Sequence, residues 1–288
     1  MDLSQLFIGS LKESIKITLI IFVLMVIIEL LVLKYKHKIT KIATKNRFMS
    51  YAVSSFFGSV PGCIGTFVMD SMYMSGLLGF GGIIAAMIST SGDEAFLMLS
   101  MIASGNLKVA PVLILFAVLF GLGIIGGIAA DLFVKKFGIK FCRRCTIKRH
   151  KNEEFKFKHI FKEHIYRHII RKHIWQIFLW VFAAIFLIEL TSGFLFVGNL
   201  FSGNNLFFVL LIASLIGLLP ISGPNVFLIV LFSKGSIPFS ILLANSIIQD
   251  GHGLLPIMGF SLEDAVKIKL FNFLYGLGLG LVLLSLGF

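Results

Sequence analysis

Acidic residues are scarce in this chain, 14 Asp and Glu among 288 residues against 26 Lys and Arg. Charged residues of either sign reach only 14%, while 57% are hydrophobic, and so few charges cannot cover a soluble domain of this size. Cysteine is nearly absent. Cys63, Cys142 and Cys145 offer no disulfide framework, and two of them sit in a basic stretch read below as cytosolic, where thiols stay reduced. No Gly-x-x-x-x-Gly-Lys-Ser/Thr stretch occurs, which removes the loop that cradles nucleotide phosphates. Arginine is missing from 48–134 and from everything after position 172, so the apolar segments lack the cation that usually grips phosphate oxygens. That argues against an integral-membrane phosphatase acting on lipid pyrophosphate. Proline is rare too, and with six in all each one marks a bend worth placing.

What fills the chain instead is apolar. The mean hydropathy is +0.97, and the 31 Phe and 28 Gly suit helices packed closely in lipid. The expected fold is therefore an all-α polytopic membrane protein of about ten transmembrane helices. A net charge of +12 invites a nucleic-acid reading, but the positions exclude it. Six Lys and Arg fall in Lys34–Arg47 and 14 in Lys135–Lys172, in short stretches between apolar runs, which is the positive-inside pattern. Both stretches are expected to be cytosolic and to touch anionic lipid head groups. With no basic region ahead of a cleavage site, the first apolar run reads as a retained helix. The chain is placed in the inner (plasma) membrane with both termini external.

A duplication organises the rest. The segment around Gly58–Lys108 returns 159 positions later: Pro61 falls on Pro220, Gly76 on Gly235, Phe80 on Phe239, Ala85 on Ala244, Gly92 on Gly251 and Lys108 on Lys267. Matching Gly and Pro punctuation marks matching helix breaks, the pointer to a transporter built from two repeats. Ser14–Leu33 reads as a spanning helix running out to in. Its partner Trp175–Leu190 leaves a basic loop and runs the other way. The expectation is two inverted repeats of five helices, residues 1–133 and 174–288, joined by a basic His-rich cytosolic loop at 134–173. On five crossings per repeat, Ser75–Gly79 is external, whereas Ser233–Pro238, Lys267 and Lys269 are cytosolic.

Several elements are broken. Pro61, Gly62 and Gly65, and Pro220, Gly223 and Pro224, interrupt the second helix of each repeat, and turns at Gly92 and Gly251 end the third. Glu94–Ser104 and Leu254–Leu262 then span only about half a bilayer. Irregular backbone at membrane depth survives where it lines a cavity, so both sets of breaks are expected to meet near the midplane. Asp93, Glu94, Asp250 and His252 stand at those turns, and ionisable groups in apolar sequence mark an ion or proton path. With the neutral donors Asn225, Asn245 and Gln249 they form a candidate metal set rich in oxygen, suited to Mn²⁺, to which only Cys63 could add sulfur. The bland alternative makes Asp93 and Asp250 helix N-caps and turns Glu94 toward an aqueous vestibule. Glu29 and Glu189, 160 apart, are candidates for proton coupling, and Asp70 is a weaker functional candidate. In the loop, Cys142, Cys145 and His150, His159, His164, His168 and His173 read as a basic linker more than a metal sensor.

The strings Thr90-Ser-Gly-Asp-Glu-Ala95 and Leu243-Ala-Asn-Ser-Ile-Ile-Gln-Asp-Gly-His-Gly253, with Pro220-Ile-Ser-Gly-Pro224 ahead of the latter, resemble the bacterial family of ten-helix heavy-metal exporters, often labelled manganese transporters. The likeness covers nearly the whole chain. It implies metal export. Together with the acidic junction, the expectation is a secondary transporter exporting a divalent metal such as Mn²⁺ against protons, with no tightly bound cofactor and no enzymatic role. A carrier of a small organic anion or metalloid is the alternative, and it would want positive charge within the membrane.

Overall fold

In the computed structural model, residues 3–138, 175–192, 205–219 and 223–287 are described, and among them there are helices and no strands. Pro220 and the loop with Cys142, Cys145 and the five histidines lie outside these residues, as do the side chains of Glu29 and Glu189. The first half contains α1 (Leu3–Ala43), α2 (Arg47–Gly58), α3 (Ile64–Met74), α4 (Phe80–Ser89), α5 (Glu94–Ala103) and α6 (Val109–Phe137). The second contains α7 (Trp175–Ser192), α8 (Leu206–Gly217), α9 (Gly223–Ser233), α10 (Phe239–Ile248), α11 (Leu255–Phe260) and α12 (Leu262–Ser285). If α4 with α5 and α10 with α11 are each counted as one broken helix, this is the all-α, ten-helix membrane fold that the sequence calls for.

The first basic stretch is not a loop. Good helix formers carry α1 on through Lys34 to Ala43, and only Thr44–Asn46 separates it from α2, whose start Asn46 caps by accepting from the Met49 N–H at 2.7 Å.

The duplication reappears in the helix limits. Shifting α2, α3 and α4 by 159 gives the limits of α8, α9 and α10 at both ends. The left-handed glycines repeat as well, Gly76 at φ 69° with Gly235 at 71°, and Gly92 at 49° with Gly251 at 51°. Only glycine adopts this backbone region without strain, so those turns required it in both copies.

One expectation changes here. The break at Pro61 does not kink a continuous helix; it folds the chain back. Ser54 Oγ of α2 lies 3.4 Å from Met69 Sδ of α3, pairing residues equally spaced about the break. The two helices also touch where Gly65 meets the Phe57 carbonyl. At 12 and 11 residues each is about 18 Å or less, half the apolar thickness of a bilayer. The hairpin enters and leaves at one end of the molecule. Tyr51 near the start of α2 and the Gly81 N–H near the start of α4 both donate to Asp131 in α6, at 2.6 and 2.7 Å. Leu77 and Gly79 share a cleft of about 940 Å³ with Arg47 and Lys135. Ser75–Gly79 therefore lies at the basic end, not opposite it. The far end is marked by Asn106, which donates to Glu13 of α1. So α4 and α5 together cross from the basic end to the far end, as α6 crosses back. In this half α2 and α3 thus form a short hairpin set between α1 and the paired α4 and α5.

Close packing holds these pieces. A methyl at Gly81 would lie 2.3 Å from the Gly127 carbonyl oxygen, and one at Gly58 would lie 2.2 Å from that of Ala86. α4 thus runs backbone against backbone with α6 and α2, the glycine-mediated contact favoured between helices in lipid.

Candidate metal centre at the helix breaks

The two third-helix breaks sit against each other, and residues of one touch their own counterparts 159 positions on. Gln249 Nε2 donates to the Thr90 carbonyl at 3.3 Å, and Gly92 packs against Gly251. His252 Nδ1 lies 3.5 Å from Asp93 Oδ2. Three equivalent pairs in contact place this junction between the copies. The hairpin tip of the first half reaches it too, because the Gly62 N–H donates to the Gly92 carbonyl at 2.9 Å. With φ at 91°, Gly62 turns the chain beside the Phe96 ring, where a side chain would collide.

That tip carries Cys63, whose Sγ lies 3.8 Å from Asp93 Oδ1. Cys63, Asp93 and His252 together offer ligand atoms that all lie within 4.8 Å of one another. Metal–ligand bonds of about 2.0–2.3 Å give a tetrahedron edges of about 3.3–3.8 Å. His252 lies 3.5 Å from Asp93 Oδ2 and Cys63 3.8 Å from Asp93 Oδ1, so the two donors flank the two oxygens of one carboxylate at about that spacing. Asp93 stands at the N-cap position of α5 but makes no cap hydrogen bond; its carboxylate turns to Cys63 and His252 instead. Glu94 is 4% exposed and faces no vestibule. Asn225 is placed to bond it, and one Glu94 oxygen, Oε1, is buried without a partner.

Other expected members do different work. Asn245 donates to Asn225 Oδ1 at 3.0 Å and to the Ala213 carbonyl at 2.9 Å, which ties α10 to the α8–α9 hairpin. Gln249 bridges the two breaks through Thr90, leaving its Oε1 buried and unpartnered. Gly223 and Pro224 open α9 and Gly65 lies in the first turn of α3, where they start the returning arms of the hairpins.

Asp250 departs most from expectation. Its carboxylate does not turn toward Asp93. Oδ2 lies 2.6 Å from Lys269 Nζ, and Oδ1 accepts from Asn272 Nδ2 at 3.0 Å. Lys269 is not at a cytosolic helix end but at the break, where its ammonium also donates to the Gly217 and Ile248 carbonyls at 2.9 Å each. These are the last carbonyls of α8 and α10, which have no intrahelical partner and present the negative ends of their helix dipoles. One ammonium with three donors satisfies all three acceptors. Charge count alone could not find Lys269; its counterpart is Ala110, and no repeat signal marks it.

No curated protein and no solved structure is similar enough to the chain to match it. A family model does match, over residues 5–179 and 148–284, nearly the whole chain. With a ten-helix membrane architecture and a buried Cys, Asp and His set at its junction, the chain belongs to the family described as "Putative, 10TM heavy-metal exporter".

Proposed function

We propose that this protein is a secondary transporter exporting a divalent metal, held in passage by Cys63, Asp93 and His252. The observation that carries this reading is the convergence of those three donors, from a hairpin tip and two helix breaks far apart in sequence, within 4.8 Å. Asp93 and His252 are counterparts in the duplication, so the ion sits between the two copies rather than inside either. The halves are read as inverted: α12 begins at the basic end, where Asp264 meets Tyr73, whereas its counterpart α6 begins at the far end beside Asn106. A site at the junction of inverted halves has equivalent approaches from both faces, the arrangement that alternating access needs. By the same hairpin logic Ser233–Pro238 lies at the far end, so Lys234, like Lys108 beside Asn106, is an exception to the charge asymmetry.

One sulfur, one nitrogen and carboxylate oxygen favour a borderline or thiophilic ion such as Zn²⁺ or Cd²⁺ over Mn²⁺, which prefers all-oxygen sites. The organic-anion alternative finds less support, because Lys269, the ammonium at the junction among the described residues, already satisfies a carboxylate and two carbonyls. Titration calorimetry on the purified protein tests the assignment. Cys63→Ser is expected to weaken Cd²⁺ binding far more than Mn²⁺ binding, and His252→Ala to weaken both. Cd²⁺ binding unchanged in both variants would remove this site.

A further inference from the structure

Asp70 sits on α3, wholly buried, and neither carboxylate oxygen has a partner. In apolar surroundings an unpaired carboxylate is costly, and it is relieved by a cation or a proton. It is not isolated along the helix. Thr66, Asp70 and Tyr73 stand at i, i+4 and i+7, one face of α3. Toward the basic end, Tyr73 donates to Asp264 Oδ2 at 3.0 Å, and Asp264 Oδ1 is buried without a partner. Two turns further along α12, Asn272 donates to Asp250, with its own Oδ1 unpartnered. Toward the junction, Thr66 Oγ1 packs against Gly253, next to His252. Polar groups therefore stand in order on this face of α3 between the basic end and the metal centre, Tyr73 bonded to Asp264 and Thr66 to the Cys63 carbonyl at 2.7 Å, with Asp70 between them bonded to neither.

This row of polar groups has no counterpart. Shifted by 159, Asp70 becomes Ile229, Tyr73 becomes Phe232, Asp264 corresponds to Gly105 and Asn272 to Leu113. The duplicated scaffold is thus polar on one approach and apolar on the other. Among the elements packed on α3, neither α4 nor α11 carries a titratable residue. On α2, Arg47 and Tyr51 stand at the outer turn, with Tyr51 engaged by Asp131. On α1, Lys12, Glu13 and Lys16 stand toward the far end, where Glu13 accepts from Asn106, and the side chains of Glu29 and of the basic stretch from Lys34 to Lys41 lie outside the described ones. The charged or titratable groups that interact with Asp70 are Asp250, held by Lys269, and Cys63.

We propose that Asp70 is the proton-coupling carboxylate, loaded through Tyr73 and Asp264 from the basic end. A proton leaves water at that end, passes along these groups and forms an O–H bond at Asp70; no electrons change hands. An ionised Asp70 favours a divalent ion in the nearby centre, and a protonated one favours its release, and the two effects are equal by linkage. This rests on the metal-transport reading above.

The test reconstitutes the full chain in liposomes, with a Cd²⁺-sensing dye inside and a pH dye to follow protons. In wild type, a pH gradient should drive Cd²⁺ flux, and Cd²⁺ movement should displace protons. Asp70→Asn, which keeps shape and removes an unpaired buried charge, should lose both effects while Cd²⁺–Cd²⁺ exchange persists. Tyr73→Phe should slow the gradient-driven flux and leave exchange unchanged, and it removes only one hydroxyl should the first variant fail to fold. Proton coupling retained in Asp70→Asn, gradient-driven flux not slowed in Tyr73→Phe, or coupling of wild type to sodium instead, overturns the proposal while leaving the metal site standing. Absence of Cd²⁺ exchange in wild type takes the transport reading down as well, and is told apart by that result.

Discussion

Removing Lys269 would strand a buried carboxylate and two helix-end carbonyls at once. Breaking one member of such a pair costs about 3–5 kcal/mol, so Lys269→Met is expected to lower the unfolding temperature of the purified protein sharply. Asp250→Asn added to it should recover part of the loss, because the remaining amide carries no charge. A double variant no more stable than the single one would show that the ion pair does not hold the breaks together. The residues of the site were legible to different degrees. Asp93 and His252 stood out because ionisable groups in apolar sequence are rare. Cys63 did not, since a lone buried thiol is ordinary until a hairpin carries it to a carboxylate 30 positions away. Lys269 sits two residues from Lys267, which pairs with Glu263 at the exposed face, and no local pattern separates the lysine that turns inward from the one that does not.

Among the elements, the hairpin of α2 and α3 is the feature least readable in advance. Pro61 and Gly62 announce a break, but a kinked span and a reversal use the same residues. What decides between them is long-range packing, seen in the Ser54–Met69 contact and in the approach of Gly65 to the Phe57 carbonyl. A methyl at Gly65 would lie 1.9 Å from that oxygen, a backbone atom that cannot step aside. Gly65→Ala is therefore expected to splay the hairpin and destabilise the protein by about 1–3 kcal/mol. Gly79→Ala, with extended backbone and nothing within 4 Å, should fall within about 0.5 kcal/mol of wild type. Thermal unfolding in one detergent compares the two directly, and equal effects would mean the arms are not in contact.

For the molecule as a whole, the sequence told the number of helices and their duplication, because Gly and Pro spacing survives in both copies. It misassigned the connections, since charge was the only guide and Ser75–Gly79 contains none. The fold places that link beside Arg47 and Lys135 and places Asn106 at the other end. Single cysteines at Ser75 and at Lys45, on a background without native cysteines, should react with an impermeant thiol reagent from the same side of the membrane, and one at Asn106 from the opposite side. Labelling of Ser75 and Asn106 from one side would require the hairpin to be redrawn as a crossing.

The backbone-to-backbone seams of α4 with α2 and α6 leave no side chains to act as a lubricant. Gly276 and Gly280 bring α12 close to α10 at Ala244 as well, where an added methyl would lie 3.0 Å from its carbonyl oxygen and 2.7 Å from its Cβ, respectively. Each trio behaves as a welded block, and welded blocks do not flex; they tilt. If the proposed transport alternates access, the motion expected of such blocks is a rolling of one on the other along the thin line where α4 and α6 meet α10 and α12. The proposed metal centre of Cys63, Asp93 and His252 lies beside that line, close to the fulcrum, where a small rotation would exchange which approach is open while moving a bound ion very little.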